Sequence, residues 1–280
     1  MLPVAMTASL TIAVLQREIR PLDPPGNLLA ALDMLRTVAK QGVDLFVLTE
    51  LWSTGVIAPD SDSATDLAED IGGPTVEALS DFCRESKSHL LAGTLAIMQK
   101  GVLKNTALLL DPSGKIVLQY AKTQLFGPMG EDKTYTPGDH LSATDVNGIG
   151  VGVLICYDLR FPTLARRLAQ AGCEIILVPA LWPEARIEHW ETLIKARAIE
   201  NQVFVAGANG ILNQDKEFCP GHSLIVGPNG EMLNSPEMRE TAIVRKLNLL
   251  QLRELRRRIS YIDEEREIKD VKWTHRSHAG

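Results

Sequence analysis

The sequence has no surplus of positive charge, no paired cysteines and no long hydrophobic run. Its 280 residues carry 35 acidic against 29 basic side chains, a net charge of −6. Bulk charge therefore gives no reason to expect nucleic acid as a partner. The four cysteines, Cys83, Cys156, Cys173 and Cys219, lie far apart and form no C-x-x-C pair. That argues against a zinc site or a disulfide framework, so no metal is expected. Free thiols point to a reducing compartment, and the expected location is cytoplasmic. No apolar run is long enough to span a membrane. The first residues, MLPVAMTASLTIAVLQ, are apolar but lack the positive region of a signal peptide. Repeats, low-complexity stretches and a dividing linker are also missing, so residues 1–280 are expected to form one domain. What is present is ordinary for a soluble enzyme: 45% hydrophobic and 23% charged residues, enough for a sizeable core.

Strand-like and helix-like segments alternate along the chain. Residues 11–16 read as an apolar strand. Over 27–40, Leu28, Leu32, Leu35 and Ala39 share one helical face, and Gly42 ends it. Residues 43–49 (VDLFVLT) read as a buried strand that delivers Glu50. Pro74 opens a helix with Val76, Leu79, Phe82 and Cys83 as its stripe. Residues 90–98 read as a strand. A hairpin follows, 106–110 and 116–120, around the turn Asp111-Pro-Ser-Gly114, and its second strand delivers Lys122. Residues 123–140 form a Gly- and Pro-rich loop, long enough to suggest function. Strands at 141–146 and 149–155 precede a helix at 162–171. Further strands are expected at 174–179, 202–208, 222–226 and 241–247, with helices at 187–201 and 249–258. Hairpins mixed among βα units favour two mixed sheets with helices outside.

Cys156 ends an apolar strand just before a proline-opened helix. A thiol on such a turn, with the next backbone N–H groups facing its target, suits a nucleophile. A free cysteine is also commonly a small buried hydrophobe, and the residue alone leaves both readings open. Glu50 and Lys122 sit at comparable strand ends. A carboxylate, an ammonium and a thiol meeting there would make an acyl-transfer site, although taken alone each charged residue reads better as facing water.

Four segments, LTELW (48–52), YAKTQLF (120–126), GEDKTYTPG (130–138) and ICYDLRFP (155–162), occur in order. Together they resemble the nitrilase, or carbon–nitrogen hydrolase, superfamily, from about Thr11 to Arg266. The resemblance implies an α-β-β-α sandwich, paired into homodimers or larger homo-oligomers. It implies a catalytic triad of Glu50, Lys122 and Cys156, with Glu131 as a second glutamate. Tyr157-Asp-Leu-Arg-Phe-Pro162, together with 182–190 and 195–202, is similar to the omega-amidase branch. That branch cleaves the terminal amide of short dicarboxylic monoamides such as 2-oxoglutaramate, 2-oxosuccinamate or succinamate. The alternatives are an N-carbamoyl hydrolase, a nitrilase or an acyltransferase.

The implied mechanism uses no cofactor. Cys156 attacks as a thiolate, favoured by Lys122 and the helix start after Asp158. Glu50 shuttles the proton, while Lys122 and the Tyr157 backbone N–H hold the oxyanion. Arg186 is a candidate for the distal carboxylate and Trp182 for a pocket wall. Arg160 and Arg186 read equally as ion-pair residues, and Trp182 as core. Four features are set aside. Gly148–Gly152 precedes a strand, so it is a turn and not a dinucleotide fingerprint. His275 and His278 belong to a polar tail. Arg253, Arg256, Arg257 and Arg258 read as a solvated or subunit-facing helix face. His189 and Trp190 read as packing.

Overall fold

The structure is a computed structural model that describes residues 7–56, 66–214 and 217–266. His275 and His278 lie outside the described residues. Two sheets stack face to face with helices on their outer surfaces, as expected. The first has six strands in the order Thr241–Asn248, Ser9–Gln16, Leu45–Val47, His89–Gln99, Val102–Leu110 and Ile116–Ala121. The second has five: Leu224–Val226, Phe204–Asn209, Ile175–Ala180, Ile149–Val153 and Ala143–Val146. Both sheets are mixed. Parallel pairs occupy the middle, 9–16 with 45–47 with 89–91, and 149–153 with 175–180 with 204–209. Antiparallel pairs form the edges, with a hairpin at one edge of each sheet.

Period-two alternation sorts the apolar residues into two cores. On strand 9–16, Ile12 and Val14 point between the sheets. Ala13 and Leu15 point outward, beneath helices Pro24–Ala39 and Pro74–Ser86. The outer face of the second sheet carries Pro162–Gln170 and Ile187–Asn201, with Trp190 fully buried. Helix 24–39 starts three residues before the expected position, 27. Asp23 caps it by accepting from the Gly26 N–H at 3.0 Å, and Pro24 fits its first turn.

Three expectations are corrected. The basic helix Leu249–Arg258 is not simply solvated. Arg253 makes a two-point ion pair with buried Glu174 at 2.7 and 2.8 Å, and Arg256 donates to the carbonyls of Gln202 and Cys173. Only Arg257 and Arg258 pair locally, with Glu254. His189 is exposed and lies beside Arg160, so it does not pack inside. A ribbon, Ile211–Gln214 with Glu217–Pro220, adds two strands where none was expected, because its residues show no apolar alternation. Residues 123–140 contain two short helical turns, Gly127–Met129 and Glu131–Thr134.

Candidate active site

Three strand ends and one loop converge at the same edge of the sandwich. Glu50 follows Leu45–Val47, Lys122 follows Ile116–Ala121, and Cys156 follows Ile149–Val153. All three are at least nine-tenths buried and line one pocket with Glu131, Tyr157, Trp182 and Arg186. The structure thus brings together every residue named from the sequence.

Local backbone fixes Glu50. The neighbouring strand bulges between Leu91 and Thr94. Gly93 sits there at φ +60°, and a Cβ would fall 1.9 Å from the Thr49 carbonyl oxygen. Only glycine lets the two backbones approach that closely. Thr94 N–H then donates to Thr49 O at 3.1 Å, and Thr94 Oγ1 accepts from Leu51 N–H at 2.9 Å. Leu51 itself lies at φ +42°.

Cys156 also sits at φ +42°, the left-handed region that a side chain adopts at a cost of roughly 1–2 kcal/mol. The chain turns there into the 3-10 helix Cys156–Arg160. Buried Asp158 holds this elbow. Its carboxylate accepts from Ile155 N–H (2.9 Å), Tyr120 Oη–H (2.7 Å), Thr123 Oγ1–H (3.0 Å) and Gln124 N–H (2.9 Å). Those donors flank both Lys122 and Cys156, so one carboxylate ties the amine-bearing segment to the thiol-bearing one.

The charged floor is a closed network. Lys122 Nζ donates to Glu50 Oε1 at 2.9 Å and to both Glu131 oxygens at 2.8 Å. Asn105 Nδ2 donates to Glu50 Oε1 at 2.9 Å and Glu131 Oε1 at 3.1 Å. Phe126 N–H donates to Glu131 Oε2 at 2.7 Å, and Leu181 N–H to Glu50 Oε2 at 2.9 Å. Glu131 therefore accepts four hydrogen bonds, from Lys122, Asn105 and Phe126, and has no lone pair to spare. Glu50 takes three, which leaves one acceptor position on Oε2. Asn105 and the Leu181 N–H went unnoticed in the sequence. The one available signal was an amide just before the apolar run 106–110, between Lys104 and Thr106.

Charge on this floor is decided by burial and neighbours. Burial alone would strip the Lys122 proton, but Glu50 and Glu131 outweigh it and hold the ammonium well above the usual lysine range. Burial pushes the Cys156 thiol well up, and the Glu50 charge adds to that more than Lys122 subtracts. The resting state is therefore a neutral thiol. This corrects the thiolate expected from Lys122 and the helix start, because a thiolate would be a third anion beside Glu50 and Glu131, with Lys122 as the one facing cation.

The pocket mouth is aromatic and cationic. The Arg160 guanidinium lies 4.6 Å from the Trp182 ring centroid, and that of Arg186 lies 5.6 Å from Phe126. Neither arginine makes an ion pair among the described residues, against the ion-pair alternative. Trp182 is both core and wall. It is 2% exposed, its ring packs 5.6 Å from Trp190, and its indole N–H donates to the Arg186 carbonyl at 2.8 Å. Among the described residues, no group of three or more His, Cys, Asp or Glu is placed to hold a metal ion, and no helix is long and apolar enough to cross a membrane.

Buried acid, amine and thiol at the strand ends of a double-sheet sandwich define a hydrolase-like site, and comparison with known proteins agrees. Residues 11–257 match the carbon-nitrogen hydrolase family, and the chain belongs to it. It is 33% identical to the 2-oxoglutaramate amidase of Bacillus subtilis, over 92% of this chain and 98% of that one. It is 32% identical to the omega-amidase of Mus musculus, over 86% and 89%. One similar solved structure is a mutant amidase from Nesterenkonia sp. AN1, with TM-score 0.81 and 27% identity over 92% and 94%. Its active-site cysteine carries the acetamide moiety of fluoroacetamide as a covalent addition.

Proposed function

We propose that this carbon–nitrogen hydrolase is an omega-amidase. It would cleave the terminal amide of a short dicarboxylic monoamide, such as 2-oxoglutaramate, 2-oxosuccinamate or succinamate, to the acid and ammonia. The observation that carries the reading is the floor network, in which Lys122 is clamped between Glu50 and Glu131 beside Cys156. The names of its relatives and the cysteine adduct in the Nesterenkonia protein support it.

Glu50 takes the thiol proton as Cys156 Sγ attacks the amide carbon. This transfer moves a charge within the floor without adding one, which suits a buried site. The free position on Glu50 Oε2 makes it the shuttle, and saturated Glu131 instead holds Lys122 in place. The oxyanion faces the Lys122 ammonium and the Tyr157 N–H, where one such donor is worth roughly 3 kcal/mol. Glu50 protonates the departing ammonia and then activates water against the thioester. Arg186 and Arg160, unpaired with any carboxylate among the described residues, are the cations for the distal carboxylate of the substrate. The chemistry calls for no cofactor. We read the working form as a single-domain, cytoplasmic homo-oligomer, which light scattering and fractionation test.

The deciding experiment is ammonia release from succinamate and 2-oxoglutaramate, set beside propionamide, an N-carbamoyl amino acid and a nitrile. Release from the dicarboxylic amides, lost in Cys156→Ala, is expected. Preference for the carbamoyl compound or the nitrile would overturn the substrate reading.

A further inference from the structure

One buried hydroxyl of the pocket has no role in the scheme above. Tyr135 follows the turn Glu131–Thr134, is 4% exposed, and lines the pocket with Glu50, Lys122, Glu131 and Cys156. Its backbone is pinned. Tyr135 N–H donates to Glu131 O, and Thr136 N–H to Leu103 O, both at 2.9 Å. Its Oη makes no hydrogen bond to any described residue. A buried donor kept unpaired costs free energy, so a rigid site that retains one is built for a partner that comes with the reaction.

The surroundings say what that partner is. Burial first, then the Glu131 and Glu50 charges, push the phenol far above its usual range, so it stays a neutral donor. Two carboxylates nearby repel an anionic guest. Glu131 is saturated, whereas Glu50 Oε2 keeps one acceptor position. A neutral oxygen that receives a proton from Tyr135 and gives one to Glu50 satisfies both groups at once. The thioester route uses one such molecule, the water that cleaves the intermediate.

We infer that Tyr135 Oη positions the hydrolytic water of the deacylation step against Glu50. This rests on the thioester reading given under the proposed function. Tyr135 donates into one lone pair of the water, and the other faces the thioester carbon. As the C–O bond forms, a water proton passes to Glu50. The C–S bond breaks with its electron pair on Sγ, and Glu50 returns the proton to sulfur. The products are the carboxylic acid and the free thiol. Tyr135 keeps its own proton throughout.

Tyr135→Phe removes only the oxygen, and its melting temperature should be no lower than that of the wild type. The test is partition of the intermediate between water and hydroxylamine, read as the hydroxamate-to-acid ratio, with intact mass to follow the Cys156 thioester. The variant should raise that ratio on the order of ten-fold, accumulate thioester, and leave first-turnover ammonia release unchanged. An unchanged ratio would overturn the assignment. So would an equal fall in acylation and deacylation, which marks a purely structural residue. A wild-type enzyme that forms no thioester from any short amide would instead remove the amidase reading itself.

Discussion

The floor and the mouth of the pocket are built in opposite ways. On the floor, every charged group is buried or nearly so and held by backbone or by another charge. Glu131 accepts four hydrogen bonds, Lys122 is clamped by two carboxylates, and Asp158 locks the thiol-bearing elbow. At the mouth, two guanidiniums rest on aromatic rings with no carboxylate of their own among the described residues. The difference teaches which part fixes chemistry and which can vary. Groups tied to strand ends cannot shift without moving a sheet, while arginines on long stems can be exchanged. A change to the floor should therefore cost turnover, and a change to the mouth should cost recognition.

The largest effects test the floor. Cys156→Ala should abolish acid formation and leave no adduct in intact-mass spectra. Glu50→Gln keeps the shape but not the base, and kcat should fall roughly 10³-fold, within the usual range for a lost acid–base group. Glu131→Gln replaces an acceptor oxygen with an amide that must face Lys122 or the Phe126 N–H. Its kcat should fall on the order of 10²-fold with KM little changed, because the oxyanion donor is loosened while the mouth is intact. A rise in KM alone for either glutamate variant would break the division between floor and mouth.

Much of this floor was legible in the sequence, because three motif residues sit where an apolar strand stops. A run such as VDLFVLTE announces its own end, and the end of a buried strand is where a sheet presents side chains. The network around them was not legible. Asn105 lies mid-strand, and nothing in its neighbours says that its amide spans two carboxylates. The Leu181 N–H has no side-chain signature at all. The resting charge was misjudged for the same reason. Proximity of Lys122 to Cys156 could be read from order along the chain, but burial and the Glu50 charge depend on packing. Arg253 likewise read as a surface cation until Glu174, far away in sequence, met it.

Intermediate effects test the mouth. A charged hydrogen bond to a carboxylate is worth roughly 1.5–3 kcal/mol, or about ten- to a hundred-fold in affinity. Arg186→Ala should raise KM for succinamate by that factor and leave propionamide hydrolysis nearly unchanged. Arg160→Ala should do the same to a smaller extent if one guanidinium dominates. Equal losses on charged and neutral amides would mean that these arginines support the wall instead of reading the substrate.

The smallest effect separates Cys156 from the other buried thiols. Burial is the largest cause raising all three of Cys83, Cys156 and Cys173, the first to about 12 and the last to about 11. Of these three, Cys156 shares its pocket with Glu50, whose Oε2 keeps an acceptor position, so Cys156 can ionise in the folded protein by handing its proton to Glu50. Cys83 and Cys173 keep their protons until the chain opens. An unfolded thiol titrates near 8.5–9, so below that pH folded and unfolded states bind equal protons and these groups leave stability flat. Above it, the unfolded chain releases protons that the native state retains, and stability falls as pH rises from about 9 toward the folded values. Cys83→Ala removes one such group, so its unfolding free energy should decline less steeply than wild type between about pH 9 and 11. Parallel slopes in urea melts across that range would show that the Cys83 thiol is not held protonated by its burial.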